Sequence, residues 1–446
     1  MQLSYPRPPP FTWPHVEPRT LLPIQPSEPL SFPALPSSQP RRTSFDTHYT
    51  LTTHLFPAAH LRTTQHVPVP APPPETYTKT ERQAFFDKTR QQLRDLRVST
   101  KPQAIPETLW NCINRYVRKD LCKQSSTGLT LFFAHANGFP KEIWEPTLYH
   151  LLHSNEEPLI DEVWTWESVQ HGDACLVNAE SLSGIFDWTD NTRDILNFLL
   201  HFLPSSSAIP LLPTHLQRVS PNETEDRKFR GFQHRTFVAV GHSYGGCTST
   251  LAALTHPVLF SSLVLIDPVI VKPKTNISVE SAAAAQLVLG ALMRRDSWPS
   301  QDEALQILSK SPFFGAWDPD VLKIYIQCGT YPSTNSKGEP NIKLKMPGIQ
   351  EAIVFSETHT EYEVFHRLPE LNKRIKLKWI MPGRPGAGEF GPPGSTQERV
   401  WVRPENSSNV RIPNAGHLIP QEEPKVLARE IRDFLKLEYT ALRTNL

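Results

Sequence analysis

The stretch TFVAVGHSYGGCTSTLAAL, residues 236–254, constrains the chain more than any other. A β-branched, aromatic run stops on Gly241, shows one Ser243 in the turn and becomes Ala- and Leu-rich helical sequence within three residues. Strand, tight turn and helix in immediate succession are the context that a G-x-S-x-G turn requires. Such a turn lifts the Ser hydroxyl clear of the backbone. It also aims N–H groups and the positive helix end at one point in front of that hydroxyl. Ser243 is therefore a candidate nucleophile. The flanking glycines are needed because a Cβ would clash where backbones pack this closely.

Its partners should lie elsewhere in the chain. LFFAHANGFPKEIW (131–144) reads as a buried strand ending at Ala134, a turn, and a helix. In this architecture one oxyanion donor is a backbone N–H of that turn, and the other belongs to the residue after the nucleophile. Those are Asn137 (or Ala136) and Tyr244. A general base needs an imidazole on a short loop late in the chain, held by an acid. Of seventeen histidines, His417 in NAGHLIPQEEP alone sits at a strand end late enough. The turn after the penultimate strand, GRPGAGEFGPPGSTQERVWVRPE, offers no Asp and only Glu389, Glu398 and Glu405. The strand after the nucleophile helix ends in LVLIDP, where Asp267 precedes a rigid Pro268. Asp267 is the preferred acid and Glu389 the second choice.

The rest of the chain alternates strands and helices from residue 128 onward. This implies a mostly parallel sheet covered on both faces. FDTHYTLTTHLF and LWNCINRYVRK (109–119) read as an antiparallel strand pair ahead of it, separated by a charged helical insertion at 78–97. DNTRDILNFLLHFL (190–203) and EPKVLAREIRDFLKLE (423–438) have amphipathic helical spacing, and 204–232 reads as a polar loop. Between LVLIDP and LKWIMPG the long interval 273–372 holds three helical patterns, too much for a loop. The expected organisation is a Pro-rich, disordered tail (1–43), a first core segment (44–272), a helical cap (273–372) and a second core segment carrying His417 (373–446). The tail is dense in proline, which removes backbone donors and blocks helices.

Composition removes several alternatives. A formal net charge of +1 gives no electrostatic case for nucleic acid or an anionic membrane. The five cysteines (112, 122, 175, 247 and 328) lack zinc-ligand spacing and a disulfide framework, so neither a metal nor any other cofactor is expected. GRPGAG (383–388) lacks dinucleotide-binding spacing and opens no helix. With no signal-like apolar start and no membrane-length run, the expectation is an intracellular protein without a transmembrane segment.

With elbow, HANG turn, late His and cap in order, residues 44–440 resemble the α/β-hydrolase superfamily. FFAHANGFPKEIWEP, VAVGHSYGG, LVLIDPV, WDPDVLKIYIQCG and NAGHLIPQEEP are more narrowly similar to a fungal group. That group includes peroxisomal lipase-like hydrolases and hydrolases of toxin biosynthesis. The resemblance implies an α/β-hydrolase fold, Ser243 as nucleophile, His417 as base and the Tyr244 N–H in an oxyanion hole. It implies a serine hydrolase cleaving an ester, thioester or lipid-like acyl bond of a small-molecule substrate, cytoplasmic or peroxisomal. Members often end in a Ser-Lys-Leu-like peroxisomal signal, whereas this sequence ends Arg443-Thr444-Asn445-Leu446 and keeps only the final Leu. An acyltransferase differs only in its acceptor. A catalytically silent binding protein on the same scaffold would be expected to have lost its Ser or His.

Overall fold

The computed structural model describes residues 3–36, 41–74, 76–99, 108–121, 128–153, 160–275 and 281–439. Cys122, Asn276 and the terminal Arg443-Thr444-Asn445-Leu446 lie outside them. Eight strands form the central sheet: β1 (Tyr49–Pro57), β2 (Trp110–Arg118), β3 (Leu129–Ala134), β4 (Ile160–Glu167), β5 (Thr236–His242), β6 (Ser262–Ile266), β7 (Lys376–Pro382) and β8 (Ser407–Ile412). Their spatial order is β8-β7-β6-β5-β3-β4-β2-β1. The pairs β1–β2 and β2–β4 are antiparallel, as the alternating pattern of the first two predicts. All other neighbours are parallel.

Strand periodicity sends alternate residues to opposite faces. Phe132, Ala134, Phe237, Ala239, Leu263, Leu265 and Trp379 enter one core. Leu131, Phe133, Val238, Val240, Val264, Ile266 and Ile380 enter the other. The helices Trp188–Asn197 (α1) and Tyr244–Thr255 (α2) cover the first face, and Pro424–Tyr439 (α3) covers the second. Both faces are buried, which is why the middle strands read as unbroken apolar runs.

Three features depart from the sequence reading. The interval 273–372 holds the expected helices, but it also carries a three-stranded antiparallel sheet of Ser297–Trp298, Thr330–Thr334 and Pro340–Leu344. Those strands are short, and one contains Pro332, so their pattern reads as loop. Residues 221–230, read as loop, form a helix capped by the Ser220 side chain. The 78–97 insertion is helical as expected (Lys79–Ser99), and its Arg97 donates to Phe186 O and Ser356 Oγ.

The third departure is the proline-rich segment, expected to be disordered over 1–43. Its described residues instead run as an extended strap across the body. Ser4 N donates to Asn409 O at the sheet edge, and Gln25–Pro26 pairs with Ala59–His60. Proline lacks an N–H but keeps its carbonyl. Side chains of the body exploit this: Gln397 donates to Pro6 O, and Arg193 to Leu22 O and Pro23 O. Arg19 fastens the middle, donating to Asp187 and Thr360 and, through Nε and Nη2, to Glu363.

Arg19→Ala should therefore cost about 2 kcal/mol, the scale of hydrogen bonds to charged partners left unpaired. Removing Glu28, whose pairing with Arg218 is largely exposed, should cost under about 0.5 kcal/mol. Urea unfolding of the two variants checks the contrast.

Candidate active site

The site grows from the C-terminal ends of β3, β5, β6 and β8. At the end of β5 the chain turns so sharply that Ser243 holds φ 55° and ψ −119°, a conformation rarely adopted by a residue with a side chain. Its backbone is fixed from three directions. Ser243 N donates to Ile266 O at 3.0 Å, and its carbonyl accepts from Cys247 N and Val269 N, both at 3.1 Å. The glycines behave as the turn demands. A Cβ on Gly245 would lie 2.5 Å from both Ala134 O and His135 O, and one on Gly241 would lie 2.6 Å from Gly246 Cα. The start of α2 is thus pressed against the turn that follows β3.

His417 follows β8 and points back to this turn. Its Nε2 lies 3.0 Å from Ser243 Oγ, and its Nδ1 lies 2.7 Å from Asp267 Oδ2. Ionised Asp267 can only accept, so Nδ1 carries the proton and Nε2 is left to accept the Ser243 hydroxyl. Asp267 directly follows β6 at φ 30°, anchored by Asp267 N donating to Ile380 O at 2.9 Å. Burial alone would raise its carboxyl. The hydrogen bond and charge of His417, with Arg399 beside it, outweigh burial and hold it below the usual carboxylate range. The structure thus brings together the three residues preferred from sequence.

Glu389, the second-choice acid, is elsewhere. Its carboxylate accepts from Gly394 N at 3.2 Å and Thr396 N at 2.7 Å, capping the short helix Ser395–Trp401. That helix delivers a group the sequence gave no reason to single out. Arg399, 2% exposed, donates from Nη2 to Asp267 Oδ1 at 2.9 Å. Phe390 also comes to the site, meeting the His417 ring edge-to-face at 5.0 Å.

On the other side of Ser243 lie the expected oxyanion donors. Among the described residues no acceptor meets the N–H of Ala136, Asn137 or Tyr244. The Asn137 side chain ties its turn to the overlying segment, donating to Glu351 O at 3.0 Å, and its Oδ1 faces His171 Nε2 at 3.0 Å. Behind it a buried cluster joins Cys112, Glu167 and Asp173 closely enough to suggest metal ligands. The carboxylates there are already satisfied by cations: Lys141 Nζ is 3.2 Å from Glu167 and 2.8 Å from Asp173, and Lys345 Nζ is 2.6 Å from Asp173.

The profile of the Alpha/beta hydrolase family matches residues 131–430, and the chain belongs to that family. A protein of Alternaria alternata named abhydrolase domain-containing protein ACTT2-1 is 37% identical over 44% of this chain and 82% of its own length. The type I acyl-CoA thioesterase mpaH of Penicillium roqueforti is 27% identical over 46% of this chain, which spans only 41% of that relative. The peroxisomal α/β-hydrolase Lpx1 of Saccharomyces cerevisiae shares the fold at a TM-score of 0.60 and 18% identity, covering 87% of this chain and 89% of its own. Among the described residues no helix is long and apolar enough to cross a membrane.

Two predictions follow from this geometry. Gly245→Ala should cut Ser243 reactivity more than about 100-fold, because a shift of about 1 Å at such a turn is enough to misalign it. The labelling rate of Ser243 with a fluorophosphonate reads this directly. The second concerns pH. Burial pushes His242 down to about 3, His135 and His54 to about 4, and His171 well below its ordinary value. These imidazoles stay neutral in the fold while the unfolded chain takes up protons below about pH 6.5. Stability should therefore fall as pH drops from about 6.5 to 4, by up to about 1.4 kcal/mol per pH unit for each imidazole. In urea titrations at several pH values, His54→Gln should flatten that slope by one imidazole's share.

Proposed function

We propose that this protein is a serine hydrolase that cleaves an ester, thioester or lipid-like acyl bond through an acyl-enzyme. One observation carries the reading: the unbroken hydrogen-bonded line from Ser243 Oγ through His417 to Asp267 Oδ2. In this mechanism His417 Nε2 takes the hydroxyl proton as Ser243 Oγ attacks the substrate carbonyl. Asp267 holds the imidazole in the required tautomer and stabilises the imidazolium. The negative charge on the former carbonyl oxygen is met by the N–H of Tyr244 and that of Asn137 or Ala136. Collapse expels the leaving alcohol or thiol, which takes the proton from His417. Water, activated by the same imidazole, then releases the acid and frees Ser243.

The relatives named acyl-CoA thioesterases favour a thioester within this range. The relative named a peroxisomal membrane protein favours an intracellular setting. A Ser nucleophile argues against the carboxylate-nucleophile chemistries that share this fold.

A fluorophosphonate probe followed by peptide mass analysis should place its adduct on Ser243. Labelling should vanish in Ser243→Ala. It should fall by about 10⁴-fold in Asp267→Asn, as loss of a triad acid does elsewhere. Glu389→Gln should stay within about threefold of the parent. An adduct on another residue, or Asp267→Asn labelling at the parent rate, would overturn the assignment. A folded protein that takes no label and turns over no ester or thioester would indicate a binding scaffold.

A further inference from the structure

The loop and helix after β7, second choice from the sequence for the acid, supply a cation instead. Arg399 is almost fully buried and makes four contacts at hydrogen-bonding range. Nη2 reaches Asp267 Oδ1 at 2.9 Å and Thr396 Oγ1 at 3.5 Å, and Nη1 reaches Pro268 O at 3.2 Å and Ile270 O at 3.3 Å. The guanidinium therefore grips the carboxylate and the backbone just beyond it, where Asp267 sits at positive φ. Its Cζ lies 5.6 Å over the Phe390 ring, and that same ring abuts His417. The short helix is fastened at both ends. Glu389 caps its start, Lys272 pairs with Glu398 at 2.7 Å, and Trp401 Nε1 donates to Tyr5 O on the strap at 2.9 Å.

A carboxylate wedged between an imidazole and a guanidinium divides its charge between them. Without the guanidinium, Asp267 would hold a proton on His417 more tightly, and the base would be released only at higher pH. The other groups facing this pair are His242, kept neutral by burial, Glu389 committed to its helix, Tyr5 on the strap, and the Arg384–Glu422 pair beside Gly416. None supplies a second cation to Asp267 Oδ1 among the described residues.

We propose that Arg399 is a positioning residue of this site, locking Asp267 toward His417 and setting the pH at which the imidazole becomes free to act as base. The proposal rests on the hydrolase reading for its use, but its physical content can be measured without it. The experiment is a ¹⁵N-histidine NMR titration of the full chain, with the His417 signal identified by its loss in His417→Gln. Arg399→Leu and Arg399→Lys are compared with the parent, alongside the pH profile of fluorophosphonate labelling at Ser243.

In Arg399→Leu the His417 midpoint and the acid limb of labelling should both move up by about one pH unit, a tenfold change in proton affinity. The labelling plateau should fall about 10- to 100-fold as the acid loses its clamp. Arg399→Lys keeps the charge and loses the fork. Its midpoint should return to the parent value while its plateau recovers only in part. A folded Arg399→Leu with an unmoved His417 midpoint would overturn the proposal and leave Arg399 a merely structural residue. If the Leu variant fails to fold, Arg399→Gln makes the same comparison at neutral charge. Failure of the hydrolase reading would look different: an unlabelled Ser243 in the parent, with the His417 midpoint still responding to Arg399.

Discussion

The site depends on one close approach, the start of α2 against the turn after β3. Gly245 has no room for a Cβ because two backbone carbonyls stand in its place. That contact forces Ser243 into its left-handed turn, a strain of about 1–3 kcal/mol for a residue with a side chain. The strain is held by neighbours rather than relieved: β6 takes the Ser243 N–H, and the segment after Asp267 returns a bond to its carbonyl through Val269 N. The same segment thus fixes the candidate nucleophile and carries the candidate acid, so the two cannot drift independently. Preorganisation here is a property of three adjacent parallel strands ending at one level.

The legible and illegible parts of the chain divide along physical lines. Ser243 and His417 could be read because each sits where a parallel strand ends, and strand ends leave a local pattern of apolar run, glycine and polar residue. Asp267 was readable by the same token, once the turn after β7 proved to contain no Asp. Arg399 left no such trace. It lies mid-helix in STQERVW, where an arginine ordinarily faces solvent, and only the packing of that helix against the segment after β6 buries it. The strap itself was misread because proline density does exclude ladders and helices. It does not exclude an extended chain whose carbonyls are satisfied by arginines and glutamines from the body. Disorder follows from a shortage of partners, and partners distant in sequence are invisible to composition.

The buried charges tell a related story. Lys141 and Lys345 neutralise Glu167 and Asp173 directly behind the HANG turn, where the rings of His135 and His171 meet at 4.5 Å. His135, His171 and His242 are hydrogen-bonding struts. Their Nδ1 or Nε2 atoms tie Ala136 O, Asn137 Oδ1 and His417 O, so imidazoles brace both the turn after β3 and the His417 loop. Placing such groups where a cation would be costly favours His over Lys or Arg, since an imidazole gives up its charge when buried at modest expense.

The acid and its counterion come from neighbouring strands, and this explains why the acid can sit on β6 at all. β6 and β7 are paired in parallel through Ile266 and Ile380, so their C-terminal ends lie side by side. A group leaving either strand reaches the same point beside His417. Once β6 supplies the carboxylate, the segment after β7 is released from that duty. Its Glu389 is then free to cap a helix, and that helix turns Arg399 back onto Asp267. A carboxylate accepting from His417 alone would leave one oxygen buried without a partner, a cost of about 1–3 kcal/mol or more for a charged group. The arginine removes that cost and holds the other oxygen toward the imidazole. The choice of strand for the acid therefore determines what the next loop must carry: where the carboxylate comes from β6, the loop after β7 must bring a donor.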